Sequence, residues 1–228
     1  MIPKIIHYCW FGNKSKPDNV LKAIENWRLI MPDYEIREWN EHNFHFNGYT
    51  YAREAYELKN YAFVADICRL HALYQEGGIY LDTDINVLKP FDNYLNLNSF
   101  LGYENKWIGT GVIGAQAGCK WIKTFLDFYS KRHFVNLMGH PTRTANTKLL
   151  TLKVMPHIPE EEKPSIFPID YFCAKDWNTG KVIITDNTVC IHEYACSWRR
   201  KNKTVIDRIK ELKKGIYARH LWRWEKAR

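Results

Sequence analysis

The sequence predicts an α/β fold in which helices flank a mostly parallel central sheet. Three observations carry that prediction. The chain opens as strand, helix, strand, the order that starts a βαβ unit. A later helix runs through a Gly-Gly stop straight into an apolar strand. The 228 residues, 46% hydrophobic and 15% aromatic, suffice for one full core.

The elements follow in chain order. Ile2 to Trp10 is apolar and β-rich and ends at Phe11-Gly12-Asn13, which predicts a buried first strand followed by a loop. Asp18 to Ile30, after Pro17 and before Pro32, fits a helix, and Tyr34 to Trp39 alternates as a half-buried strand does. Between Tyr61 and Glu76 the residues Phe63, Ile67, Leu70 and Tyr74 recur at helical spacing, and Gly77-Gly78 ends the helix. Ile79-Tyr80-Leu81 is then a central strand. Ser99 to Tyr103 and Gly111 to Ala115 are expected strands, Lys120 to Arg132 a helix, and Val182 to Ile184 and Val189 to Ile191 late strands. The stretch from Pro156 to Pro168 is the least regular.

No window approaches the roughly 20 apolar residues that span a bilayer. Met1-Ile2-Pro3-Lys4 leads into a strand-like run rather than a signal peptide, so a cytoplasmic location is expected. Six cysteines without a C-x-x-C pair argue for free thiols over a zinc knuckle or disulfide framework. The net charge of +8 suits a phosphate-rich ligand, nucleic acid or an anionic membrane surface. Part of it is local, in Arg199-Arg200-Lys201, Lys213-Lys214 and Arg219 to Arg228.

Asp82-Thr83-Asp84 follows the central strand directly, at the C-terminal strand edge where open α/β sheets bind ligands. Mg²⁺ and Mn²⁺ take oxygen ligands and bridge carboxylates to substrate phosphates, so Asp82 and Asp84 form a candidate diphosphate site. An acidic pair alone is a weak signal. Asp66 and Arg69 strengthen it: three residues apart on the preceding helix, they face one side and point to the sheet margin. Those four residues are the candidate catalytic set. A nucleic-acid-binding module would leave them unexplained, because carboxylates repel phosphates without a metal.

The whole stretch from Ala65 to Asp84, with Ala65-Asp66, Arg69, Leu73-Tyr74, Gly77-Gly78, Tyr80, Asp82 and Asp84 in register, resembles the sugar-binding region of the glycosyltransferase family 32 group. That group includes fungal α-mannosyltransferases and bacterial capsular polysaccharide transferases and is related to the clostridial glucosylating toxins. Ile2 to Gly12 and His192 to Trp198 resemble the opening strand and closing loop of the same families, whereas residues 135 to 180 do not.

The resemblance implies a GT-A fold over residues 1–200, Mn²⁺ or Mg²⁺ as cofactor, and retention of anomeric configuration. Asp84 is then a direct metal ligand. Asp82 contacts ribose and sugar hydroxyls and reaches the metal through water, and Thr83 lies among the donor contacts. Asp66 holds sugar hydroxyls, Arg69 lies beside sugar and phosphates, and Trp10 stacks on the base. Ser197 and Trp198 close over the diphosphate. His192 is a further candidate metal ligand with Glu193 as its rival. Gly109-Thr110-Gly111 offers a backbone surface to donor sugar or acceptor, with a plain turn as the alternative. The expected reaction moves a hexose from a UDP-sugar to a glycan or lipid-linked saccharide in surface polysaccharide synthesis. A GDP-mannose-dependent mannosyltransferase and a non-enzymatic sugar-nucleotide-binding protein are the alternatives. Residues 201–228 form a basic amphipathic segment that either packs on the domain or lies at the inner face of an anionic membrane. Leu81 to Asn86 also resembles the first motif of haloacid-dehalogenase-type phosphatases, but Asn86 stands where that family has Thr or Val, and the late acidic pair is missing.

Overall fold

Strand β1 (Ile5–Cys9) and strand β2 (Glu35–Trp39) lie side by side in parallel, with Ile5 opposite Glu35 and Cys9 opposite Trp39. Helix α1 (Asp18–Ile30) returns the chain between them and turns Val20, Ile24 and Trp27 inward at four- and three-residue spacing. Trp27 is fully buried, and its indole donates to the Ile85 carbonyl at 2.9 Å. The computed structural model describes residues 1–195 and 204–221.

Helix α2 (Thr50–Glu57) precedes helix α3 (Tyr61–Glu76), which is buried on nearly all sides between α2, helix α4 (Lys120–Ser130) and the sheet. Strand β3 (Gly78–Leu81) follows at once and joins β1 in parallel. The junction demands glycine twice. Gly77 and Gly78 have φ of +67° and +103°, and a Cβ on Gly78 would lie 2.7 Å from the Ile5 carbonyl oxygen. Buried His7 pins the same turn: its Nδ1 accepts from the Trp39 indole (3.0 Å), which leaves Nε2–H to donate to the Gly77 carbonyl (2.7 Å). Burial holds this imidazole below its ordinary pKa, in the neutral form that the two bonds require.

Strand β4 (Ile85–Val87) leaves the main sheet, and strands β5 (Ser99–Glu104) and β6 (Trp107–Ala115) form an antiparallel hairpin. The single turn α5 (Asn146–Leu149) leads towards strand β7 (Ser165–Phe167) on the sheet edge, followed by the turn α6 (Ile169–Phe172). Strand β8 (Cys190–His192) pairs with β4 in a separate two-stranded ladder, and helix α7 (Val205–Ile216) comes last. The main sheet has the order β2-β1-β3-β6-β5-β7. β6 is antiparallel to both of its neighbours, whereas the other three pairings are parallel, so five strands point one way. The sheet is thus mostly parallel, as expected.

Each face of the sheet carries its own core. Tyr80, Leu101 and Ile113 pack under α2, α3 and α4, while Ile79, Leu81 and Val112 pack with α1 and the β4–β8 ladder. The strict alternation of Ile79, Tyr80 and Leu81 across two faces explains why β3 has no polar residue before Asp82.

Several sequence expectations need correction. Val182 to Ile184 is not a strand: Val182 makes one isolated bridge to Lys175, and all three side chains are exposed. β-branched composition makes a strand only where a partner strand lies alongside, and this segment is paired through that isolated bridge. The first strand starts at Ile5 rather than Ile2, because Pro3 interrupts the run and its carbonyl closes a short turn onto the Ile5 amide. The chain from Gly109 through Gly111 lies inside β6 and is not a turn. β4, β7 and α2 are elements that the sequence did not announce. Cys9, Cys68, Cys119, Cys173 and Cys190 are free thiols, as expected. Among the described residues no helix is long and apolar enough to cross a membrane.

Candidate active site

The chain leaves the sheet at Asp82, whose amide donates to the Gly111 carbonyl on β6 (2.8 Å), and the Ile85 amide closes a turn back onto the Asp82 carbonyl (3.0 Å). That turn brings Asp84 round beside Asp82. β4 begins immediately, and its ladder sets Ile85 opposite His192. One ligand atom from each of Asp82, Asp84 and His192 thereby falls within 4.8 Å of the others. His192 Nε2 lies 3.3 Å from Asp84 Oδ1, and the Ala195 amide donates to Asp84 Oδ2 at 2.8 Å. Gly111 keeps the space open, since a Cβ there would sit 3.1 Å from Asp82 Oδ2 and 3.2 Å from His192 Cε1.

Burial opposes the charge of Asp84, but the hydrogen bond and charge of His192 outweigh it and hold the carboxyl below its ordinary pKa. Burial likewise opposes the His192 imidazolium, and the bond to Asp84 reverses the sign, lifting His192 well above its usual value. His192 must be neutral to ligate a metal, so a cation entering here displaces that proton. Two carboxylates and an imidazole form a donor set that fits Mn²⁺ well, and Mg²⁺ through the oxygens.

On the α3 side, Asp66 and Arg69 are both buried. Arg69 Nη2 lies 3.2 Å from Asp66 Oδ1 and 3.2 Å from Asp82 Oδ1. Its Nη1 donates to the Thr110 carbonyl and its Nε to the Ala65 carbonyl. The guanidinium also stacks 4.5 Å over the Tyr80 ring, and the Tyr80 hydroxyl donates to Asp82 Oδ1 at 2.9 Å. Although burial disfavours the cation, Asp82 and its neighbours keep Arg69 charged. Burial dominates at Asp66 and, despite Arg69, pushes its carboxyl up to about 7.

The opposite wall is formed by the β5–β6 hairpin and β8. Glu104 stands there in a cleft that also touches Gly109, Gly111, Cys173 and His192. Burial raises its pKa, and Asp82 and Asp84 add to that against the pull of His192 and Arg69. Among the described residues Glu104 has no hydrogen-bond or ion-pair partner for its side chain. Sequence reasoning missed it, because its only signal is a place near the tip of a hairpin. Tyr194 was missed too; its ring stacks on His192 at 4.3 Å, and its hydroxyl lies 2.8 Å from Cys173 Sγ.

Of the sequence-derived candidates, Asp66, Arg69, Asp82, Asp84, Thr110 and His192 converge. Thr83 is half-buried in the turn, and Gly109 packs against Glu104. The Glu193 carboxylate is drawn to Lys175 at 2.6 Å rather than to the aspartates. Trp10 is half-buried just beyond the end of β1, the parallel neighbour of β3, and its indole donates to the Lys14 carbonyl at 2.7 Å. Ser197 and Trp198 lie outside the described residues.

The sheet order, with an acidic strand-end motif at its centre, is that of a GT-A-type α/β fold. Residues 17–101 match the family described as the glycosyltransferase sugar-binding region containing DXD motif, and Asp82-Thr83-Asp84 falls inside the match. That segment of the chain thus resembles the sugar-binding region of these glycosyltransferases. It is 32% identical over 158 residues to an uncharacterised glycosyltransferase of Acanthamoeba polyphaga mimivirus, covering 65% of this chain and 63% of that protein. It is 33% identical over 99 residues to inositol phosphoceramide mannosyltransferase 3 of Schizosaccharomyces pombe, covering 42% and 28%. It is 35% identical over 92 residues to lactosylceramide 4-alpha-galactosyltransferase of Mus musculus, covering 40% and 21%. The chain thus spans under two thirds of each of these relatives. In fold it is similar to a glycosyltransferase involved in the glycosylation of the major capsid of PBCV-1, with a TM-score of 0.50 at 14% identity over 92% of this chain and 100% of that one.

Proposed function

We propose that the chain transfers a hexose, with retention, from a nucleotide sugar to a glycan or lipid-linked saccharide, using Mn²⁺ or Mg²⁺. The observation that carries this reading is the convergence of Asp82, Asp84 and His192 within 4.8 Å beside a buried, multiply bonded arginine. Asp84 and His192 hold the cation, and Asp82 turns its carboxylate to the donor hydroxyls. The bound cation supplies positive charge to the diphosphate as it departs. Arg69 is already engaged by Asp66, Asp82, Ala65 and Thr110, so it orients Asp82 and adds a fixed positive field rather than gripping phosphate directly. Glu104 faces the cleft from the other wall, without a hydrogen-bond partner among the described residues, and receives an acceptor hydroxyl. Trp10 stacks on the base, and Ser197 and Trp198 close over the diphosphate.

Uridine is the preferred base, on the resemblance of the Trp10 segment. GDP-mannose is the second reading, favoured by the mannosyltransferase of Schizosaccharomyces pombe. Two relatives carry ceramide in their names, which supports a lipid-linked acceptor; the proposal sets it at the cytoplasmic face of a membrane, in surface polysaccharide synthesis. Calorimetric titration with UDP and GDP in Mn²⁺ tests the site. The expected result is binding that chelator and Asp84→Ala both abolish; chelator-independent binding would overturn the metal assignment. Release of nucleoside diphosphate from a panel of sugar nucleotides then separates transfer from mere binding.

A further inference from the structure

Helix α7 leaves a large apolar stripe in solvent. Val205, Ile209, Leu212 and Ile216 recur at four- and three-residue spacing and so share one face, with Ile206 at its margin. Val205 and Ile206 are 72% and 64% exposed, Ile209 and Ile216 are exposed, and only Leu212 is half-buried. The helix docks through a neighbouring face, where Gly215 and Ala218 are buried, and the C-terminal end of the stripe also leans on the domain, with Ile216 Cγ1 2.7 Å from where a Cβ on Gly139 would sit. Gly215 lies so close to Gly139 that a Cβ on it would sit 1.9 Å from the Gly139 carbonyl oxygen. That contact seats the 137–139 loop on the helix, and His220 Nε2 lies 3.1 Å from the Leu137 carbonyl. Leu137 and Met138 at the tip are 72% and 74% exposed.

Charge on this helix is sorted as well. Arg208, Lys210, Lys213 and Lys214 are all exposed, with Arg208 on one flank of the stripe and Lys213 and Lys210 on the other. The acidic groups are engaged elsewhere, Asp207 in the capping box with Thr204 and Glu211 with Arg143. A second copy meeting this face about a two-fold axis would bring like charges together. An anionic bilayer takes both parts of the face, with aliphatic side chains entering the headgroup boundary and cations meeting lipid phosphates.

We propose that α7, together with the Leu137-Met138 tip, is a docking face for an anionic lipid surface. It deepens the lipid-linked-acceptor reading and rests on it for its purpose, but lipid binding is measured without donor or acceptor, so each can fail alone. The test is sedimentation of the full chain with vesicles of neutral phosphatidylcholine, or of that lipid with 30% phosphatidylglycerol, at low and high salt. The expected result is binding to the anionic vesicles only, weakened at least tenfold by Lys210→Glu with Lys213→Glu, and again by Ile209→Ser or Leu137→Ser. Metal-dependent nucleotide binding by the same variants should be unchanged, which shows that the fold is intact. Equal binding to neutral vesicles, no binding, or binding insensitive to these substitutions would overturn the proposal. So would a concentration-dependent dimer that Ile209→Ser dissolves without any effect of lipid.

Discussion

The two walls of the cleft handle charge in opposite ways. On the α3 wall, Asp66, Arg69, Tyr80 and Asp82 satisfy one another, and the guanidinium is engaged at all three of its nitrogens. On the β5–β8 wall, Glu104 is kept in a partly dry cleft with no partner for its carboxylate among the described residues. The first wall is organised before any ligand arrives. The second leaves a carboxylate facing the cleft, and under the proposed function that is where the acceptor meets it.

The largest effect should come from the point where the walls meet. Asp84→Ala should lower transfer by about 10³-fold or more and abolish metal-dependent nucleotide binding, because it removes the group that fixes both cation and His192. Arg69→Ala tests the organised wall. It leaves half-buried Asp82 without its cation and lets buried Asp66 take up a proton, and should cost about 3 kcal/mol in chemical denaturation, and Arg69→Lys should recover little because one ammonium cannot span those acceptors. Glu104→Gln tests the open wall: kcat should fall about 10²-fold while nucleotide affinity stays within about twofold and stability is held. A large loss of stability in that variant would show that Glu104 belongs to the scaffold after all. Gly111→Ala should weaken metal-dependent nucleotide binding about tenfold, a shift of ~1.4 kcal/mol, by crowding Asp82 and His192.

The smallest effect is a pH dependence. Asp66 has a folded-state pKa of about 7, above its unfolded value, so the folded state binds the proton more tightly and this group's contribution to stability falls as pH rises towards 7. Asp66→Asn should therefore gain stability relative to the parent between pH 5 and pH 8, by on the order of 1 kcal/mol once the weakened tie to Arg69 is counted. A flat difference across that range would show that Arg69 keeps Asp66 ionised throughout.

What could be read from the sequence differs between the walls for the same reason. The α3 wall is one contiguous run, in which helical spacing, a Gly-Gly stop and three apolar strand residues lead straight to Asp82, so local rules place Asp66 and Arg69 against it. The two also pair with each other, as part of a larger network that includes Asp82. The other wall is assembled from residues far apart in sequence. His192 meets Asp84 through two three-residue strands that carry almost no periodic signal, β4 beginning directly after the motif, and Glu104 joins them from the far end of β5. His192 could be suspected only from its resemblance to a closing loop, and its advantage over Glu193 depends on Lys175, which no spacing rule connects to it. The aliphatic run at Val182 misled because composition does not tell whether an edge is available for pairing.

The β4–β8 ladder sets an order of events during synthesis. The carboxylates belong to the first 84 residues and to the sugar-binding region at 17–101, but the imidazole that faces them arrives on one of the last strands, held by three backbone pairings. A nascent or truncated chain ending at β7 therefore carries the complete acidic motif without its third donor and without the Ala195 amide that steadies Asp84. Under the proposed metal role such a fragment would pass any search for the motif yet grip a cation only loosely, and the site would be completed late, when β8 pairs with β4.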